Sequence, residues 1–324
     1  MHITALAGGI GGARFLRGLL AHLEADSPGG HQVTVIGNTG DDIWIHGLRV
    51  CPDLDTVMYT LGGGISAERG WGREGETFTV KEELAAYGVE PTWFGLGDRD
   101  IATHLIRTQS LQAGYALSDV TAALCDRWNP GVRLLPMTDE RAETHVVVED
   151  EAGRRAIHFQ EWWIRYRASL PALEFVVVGI DESRPGPGVI EAISTCDLLI
   201  LPPSNPVVSI GTILQVPGIR EAVVATPAPV VGLSPIVGGA PVRGMADACL
   251  QAIGVETSAR AVAAHYGARA FGGILDSWLV DTTDADSVEG VEHLGIRCNA
   301  VPLMMSSIEA TAEMAAQALR IAQR

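Results

Sequence analysis

The sequence predicts an α/β protein: a Rossmann-like parallel sheet core carrying an inserted, mainly helical cap and a β-hairpin. Three observations lead there. The chain opens as strand, glycine turn, helix, strand; short apolar runs alternate with helical patterns toward the C-terminus; and the stretch between is helical in period until two β-rich runs close it.

In order along the chain, residues 2–7 (HITALA) read as a buried strand and Gly8–Gly12 as a tight turn. Ala13–Leu23 then spaces Phe15, Leu16, Leu19, Leu20 and Leu23 along one helix face, and Val33–Ile36 is a second short strand. From about Asp55 to Asp126 the period is mostly helical. The runs flanking Glu149–Arg155 form a hairpin. The α/β rhythm then returns, with strands at Phe175–Val178, Asp197–Leu201, Val230–Leu233 and Ile274–Val280, a last one near Arg297–Val301, and a terminal helix over Ser307–Ala322. The division that follows is a nucleotide-binding core of residues 1–55 and 170–324, with 56–169 inserted as a cap.

Composition narrows the function. The chain has 324 residues, 47% of them hydrophobic, which is enough for a substantial core. Thirty-nine acidic side chains against 23 basic ones give a formal charge of −16, so no broad basic field exists to attract a nucleic-acid backbone. Aromatics at 6% argue against a base-stacking platform as well. Five scattered cysteines without a CxxC pair read as free thiols in a reducing compartment. The start lacks a basic signal region, and no apolar run reaches the roughly 20 residues of a membrane helix. A cytoplasmic protein with no membrane contact is the expectation.

The glycine turn puts backbone amides at a helix N-terminus directly after a strand, where the dipole favours a phosphate. Its spacing is GGxGG, neither GxGxxG nor a P-loop, and the next strand ends at Asn38, not at an acidic ribose ligand. Phosphate contact and a packing turn both remain open. Two acidic clusters follow, Gly40-Asp41-Asp42 and Pro52-Asp53-Leu54-Asp55-Thr56. Asp42 and Asp55 read as ligands for a hard cation; Asp53 reads as a helix cap and Asp41 as a turn stabiliser. Arg99, between Asp98 and Asp100, is either part of an ion-pair network or an anion clamp. His104 reads as packed or solvated.

His158 and the adjacent Trp162 and Trp163 end the hairpin, where flat faces either pack or line a slot for a planar ring. Pro202-Pro203-Ser204-Asn205-Pro206, leaving the LLIL strand, makes a rigid polar loop suited to a base edge or a phosphate.

Six stretches in order, ALAGGIGGARFL, GDDIWIHGLRVCPDLDTVMYTLGGG, GLGDRDIATHLIRT, AIHFQEWWIRYR, PPSNPVVSIG and SPIVGGAPVRGMAD, resemble the phospholactate/phosphoenolpyruvate transferase family of deazaflavin coenzyme biosynthesis, FbiA in actinobacteria and CofD in archaea. The resemblance covers nearly the whole chain. It implies a Mg2+-dependent transfer of a phosphoenolpyruvyl or 2-phospho-L-lactyl group from a guanosine diphosphate-activated donor to the deazaflavin Fo. The products it implies are dehydro-F420-0 or F420-0, and GMP; a homodimer is also implied. By match of position, Gly8, Gly9, Gly11 and Gly12 face the donor phosphates, and Ser204, Asn205, Pro206, Ser209 and Ile210 form the guanine and ribose site. Asp55 matches the family's Fo-contacting aspartate; Thr56, His158 and Trp162 are the further candidate Fo contacts, and Asp42 and Asp55 are the expected catalytic residues and metal ligands. One departure stands out: archaeal members carry a lysine, associated with Fo contact, where this chain has Gly95.

Such a transfer needs in-line positioning and charge neutralisation, with Arg14 and Arg99 as candidate anion contacts. No Ser–His–Asp or Cys–His set is spaced for a covalent intermediate, so direct transfer is expected. A nicotinamide-dependent oxidoreductase is the alternative that the strand–glycine–helix opening alone suggests. A non-catalytic guanine-nucleotide-binding protein is the other.

Overall fold

Strand β1 (His2–Ala7) runs through Gly8 into helix α1 (Gly9–Asp26), and β2 (Gln32–Gly37) returns parallel to β1, with Ile3 opposite Val33 and Ala7 opposite Gly37. The computed structural model describes residues 1–151 and 153–323. The further strands are the hairpin pair β3 (Ile43–Ile45) and β4 (Leu48–Val50), then β5 (Arg133–Pro136) and the trio β6 (Glu143–Asp150), β7 (Gly153–His158) and β8 (Ala172–Val178). After them come β9 (Leu198–Leu201), β10 (Val230–Leu233), the ribbon β11 (Ile236–Val237) and β12 (Ala240–Pro241), β13 (Ser277–Val280) and β14 (Arg297–Ala300).

Seven of these form an all-parallel sheet in the order β14-β13-β10-β9-β1-β2-β5. The chain winds outward from β1 in one direction, then returns to β9 on the other side of β1 and winds the opposite way. That is the doubly wound order, and its switch point lies between β1 and β9. Strands buried on both faces explain the unbroken apolar runs LLIL and VVGL, each fully buried.

One face of the sheet is covered by α1, by α2 (Pro52–Leu61) and by the C-terminal helix Ile308–Ala322; Phe15, Leu16 and Leu19 pack there with Met314 and Leu319. Each such side chain contributes about 1.5–3 kcal/mol by leaving water. The other face is covered by the shorter helices of the second half, with Ile193, Ile213, Val223 and Val262 in one cluster with Leu6, Leu199 and Val230. The middle segment holds α3 (Thr79–Ala86), α4 (Asp98–Gln112) and α5 (Leu117–Trp128), followed by the expected hairpin, β6 with β7.

Three expectations change. Helix α1 begins at Gly9 with Gly8 as its N-cap, so the glycine turn is the helix's own first turn. Strand β8, expected in the parallel core, pairs antiparallel with β6 in a three-stranded sheet. Its Val177 is buried while Val176 and Val178 are exposed, the alternation of a half-covered antiparallel sheet. Strand β5, inside the segment 56–169 expected as a cap, is the edge strand of the main sheet beside β2. Its four residues, RLLP, are too short a run to announce themselves. The cysteines are free as expected, and among the described residues no helix is long and apolar enough to cross a membrane.

Candidate active site

At the switch point the chain leaves β1 through the glycine turn and leaves β9 through Pro202–Ile210, and the two segments are bonded to each other. The Ser204 hydroxyl donates to the Gly8 carbonyl at 2.8 Å and accepts from the Gly8 amide at 3.3 Å. A Cβ on Gly11 would stand inside contact distance of the Pro203 carbonyl oxygen, so only glycine lets the loops close. Packing and ligand approach are therefore one feature: Gly8, Gly9 and Gly11 also line a cavity of about 990 Å³ at the strand ends. No side chain of the helix itself caps α1, and its first turn carries no acidic residue, which leaves its dipole facing the cavity.

Ser204, Asn205 and Ser209 line the same cavity. Asn205 braces its own loop, its Oδ1 accepting from the amides of Val207 (2.9 Å) and Val208 (3.2 Å). The other assigned members of these loops lie behind the lining. Gly12 packs against Ser204 and Ala7, and Ile210 is fully buried in the core. Pro206 is buried and off the cavity wall.

The acidic loops are sorted by partner. Asp42, expected at a metal, is fully buried in an ion pair with Arg49 (2.9 Å) and does not line the cavity. Burial pushes its carboxyl to about 6 against the pull of Arg49. Asp55 lines the cavity, but the buried Arg107 guanidinium holds both of its oxygens, Nη1 at 3.1 Å from Oδ2 and Nη2 on Oδ1.

Asp41 and Asp53 lack such partners. Both are buried, both line the cavity, and among the described residues neither forms an ion pair. Asp53 is held by Asn38 Nδ2 (2.9 Å) and by the Gly9 amide, so it bonds to the first turn of α1 and does not cap α2, whose N-cap is Cys51. Burial pushes the Asp53 carboxyl up to about 6. Asp41 is pushed well above the carboxylate range, by burial first and then by the charge of Asp53. Asp41 Oδ1 is buried without a hydrogen-bond partner among the described residues. Two buried carboxylates with no basic partner beside a helix N-terminus fit a hard divalent ion, which takes one or two carboxylates and completes its shell with other oxygens. Among the described residues, no group of three or more His, Cys, Asp or Glu side chains is gathered for a metal on its own.

Behind Asp55 lies a buried relay from α4. Arg107 Nη1 sits 3.2 Å from His104 Nδ1, and since arginine only donates, Nδ1 accepts and Nε2 carries the proton. Nε2 faces Asp100 Oδ2 at 3.5 Å, and Tyr59 donates to Asp100 Oδ1 at 2.6 Å. Burial works against the Asp100 charge, but bonds from His104 and Tyr59 prevail and hold its carboxyl below the usual range. Residues His104, Asp100, Tyr59 and Thr56 all reach the cavity wall. Sequence spacing did not link His104 to the site because Asp55 and Tyr59, to which Arg107 and Asp100 tie it, come from α2.

The aromatic wall differs from expectation. Trp162 is fully buried, its indole donating to the Leu170 carbonyl at 2.7 Å and its ring packed among Phe159 and Phe175. His158 is off the lining as well, its Nε2 against the Asp42 carbonyl (3.1 Å) and its Nδ1 accepting from the Gln160 amide; burial lowers its ring to about 4. One residue further on, Trp163 is 37% exposed and lines the cavity with Phe159 and Gln160. A second set, Trp71, Phe78, Trp93 and Phe94, comes from the loops around α3, inside the stretch expected to be mostly helical. Lys81 of α3 points its ammonium to within 3.5 Å of where a Gly95 side chain would begin. The cavity's cations are Lys81 with Arg14, Arg69 and Arg243; Arg99 is exposed, bonds to the Glu74 carbonyl and lies outside the lining.

A doubly wound parallel sheet with an anion-ready helix terminus and crowded carboxylates at its switch point is the frame of an enzyme acting on a phosphorylated ligand. Residues 3–307 match the family described as 2-phospho-L-lactate transferase CofD, and the chain belongs to that family. It is 66% identical over 324 residues to the phosphoenolpyruvate transferase of Streptomyces griseus, covering 100% of this chain and 99% of that one. The phosphoenolpyruvate transferase of Thermobifida fusca is 66% identical over 325 residues (99% and 98% covered), and that of Mycolicibacterium smegmatis 59% over 328 (99% and 99%). A solved Bacillus halodurans protein of the UPF0052 family shares the fold, with a TM-score of 0.63 at 17% identity over 98% of both chains. The protein is thus an enzyme, a transferase of a phospho group.

Proposed function

We propose that this enzyme moves a phosphoenolpyruvyl group, or a 2-phospho-L-lactyl group, from a guanosine diphosphate-linked donor to the terminal ribityl hydroxyl of the deazaflavin Fo in coenzyme F420 biosynthesis. The observation that carries the reading is the fusion of the glycine turn with the Ser204 loop beside Asp41 and Asp53, in a cavity that also holds an aromatic wall. Amides of Ile10 and Gly11 bind the donor diphosphate, and Ser204, Asn205 and Ser209 face the guanosine. The acceptor ring lies against the aromatic wall from residues 71–94 and Trp163, with Lys81 at its edge.

In the transfer, the acceptor hydroxyl oxygen bonds to the phosphorus that carries the three-carbon acid. The bridging P–O bond to GMP breaks, GMP leaves with that electron pair, and the hydroxyl proton passes to a carboxylate. Asp55, fixed by Arg107, orients the hydroxyl and accepts that proton. Little covalent work falls to the protein in a phosphoryl transfer of this kind, so in-line positioning dominates. Mg2+, held by Asp41 and Asp53, would supply charge neutralisation at the diphosphate when bound.

The test is turnover. Purified protein with Fo, Mg2+ and each guanosine diphosphate-linked acid is expected to give one phospho-acid ester of Fo per GMP, read by mass spectrometry. Fo left unchanged with both donors would refute the reading, and the preferred donor fixes which acid is transferred.

A further inference from the structure

The arginines of this molecule fall into two groups around the cavity. Arg49 and Arg107 are buried and spent on Asp42 and Asp55. Arg14, Arg69 and Arg243 line the cavity, and among the described residues none of them forms an ion pair.

They also stand together. Arg243 Nη2 donates to the Arg69 carbonyl at 2.8 Å, and a Cβ on the next residue, Gly70, would be 3.2 Å from Arg243 Nη1. Arg14 is near enough to Arg243 to act on its charge: burial first, then Arg14, lowers the Arg243 guanidinium. Arg69 lies 5.5 Å from the Trp71 ring centroid and 5.7 Å from that of Phe78, which ties the group to the aromatic wall. Arg14 sits one turn beyond the glycine turn on α1. The three therefore connect the phosphate-binding turn with the acceptor wall.

We propose that Arg14, Arg69 and Arg243 form a subsite for the carboxylate of the three-carbon acid carried by the donor. The proposal rests on the transferase reading above and names what that reading leaves open, the group that recognises the acid. The diphosphate already has the amides of α1 and the Asp41–Asp53 pair, whereas the acid's carboxylate has no other cationic partner on the wall but Lys81. A planar guanidinium offers a carboxylate two parallel N–H groups, and a set of two or three selects the charged acid over a neutral analogue.

The experiment measures affinity by calorimetry for three probes: GDP, the guanosine diphosphate ester of lactate, and its methyl ester. The wild-type protein is expected to bind the free acid at least about tenfold more tightly than the methyl ester. Arg243→Met and Arg14→Met each reduce that preference to less than about threefold and leave GDP affinity within about threefold. Arg243→Lys, which keeps the charge without the fork, falls between. An unchanged thermal melt confirms folding, which two side chains at the cavity wall permit. A preference that survives in both methionine variants overturns the proposal. So does a loss of GDP affinity by the same factor, which would give these arginines to the diphosphate. A wild-type protein that binds no GDP would instead sink the transferase reading, and the subsite with it.

Discussion

The Arg107 guanidinium grips both carboxylate oxygens of Asp55 in a buried pair, with His104 packed against the same guanidinium. A buried pair broken from one side leaves the other charge without compensation, at about 3–5 kcal/mol. Asp55→Asn is therefore expected to lose turnover and also to lower the melting temperature, because Arg107 keeps its charge. The double variant Asp55→Asn/Arg107→Met should recover most of the stability and none of the activity. Calorimetric melts beside turnover separate the two effects; activity restored in the double variant would remove Asp55 from the chemistry.

Asp53 behaves in the opposite sense. Its folded carboxyl, at about 6, lies above the ordinary aspartate value, so the native state binds more protons than the unfolded chain between about pH 4 and 6. Stability from this group is complete below that window and falls as pH rises through it. Relative to wild type, Asp53→Asn should thus gain on the order of 3 kcal/mol between pH 4 and pH 7.5 in metal-free buffer. Urea unfolding at the two pH values checks it; a difference independent of pH would contradict the raised carboxyl.

The same carboxyl sets metal affinity. A divalent cation must displace the proton, so its apparent affinity in the presence of GDP should fall by at least about tenfold per pH unit below about pH 6. Asp41→Asn and Asp53→Asn should each cut Mg2+-supported turnover by about 100-fold or more, whereas Asp42→Asn should act mainly through stability. Titration calorimetry at pH 5, 6 and 7.5 supplies the measurement, and flat affinity across that range would move the cation elsewhere.

Adjacent tryptophans give a clean contrast. Trp162→Ala removes a fully buried ring and should cost about 3–5 kcal/mol. Trp163→Ala should leave the melt nearly unchanged and weaken Fo binding by about 5–10-fold, read from deazaflavin fluorescence. Equal effects of both on Fo would place the ring elsewhere.

These pairs show where the sequence is legible. The opening β1–α1–β2 unit, the buried strands β9 and β10 and the C-terminal helix were readable because their periods and caps are local: Ser307, for one, caps its helix through the Ala310 amide at 3.1 Å. Neighbours in sequence were not separable. Whether Asp41 or Asp42 faces the cavity is decided by Arg49, which arrives from the β3–β4 hairpin and takes Asp42. Trp162 and Trp163 are told apart only by the fold of the chain after β7, and β8 by the partner it finds in β6. The cationic and aromatic walls draw on Arg14, residues 69–94, Trp163 and Arg243, far apart in the sequence, so only tertiary structure assembles them.

A crystal structure with GDP and Mg2+ puts the main claim to the most direct test. The diphosphate is predicted against the Ile10 and Gly11 amides in the first turn of α1 and the Ser204 loop, with the cation between it and the Asp41–Asp53 pair. Nucleotide density anywhere outside the β1–β9 cavity would contradict the account.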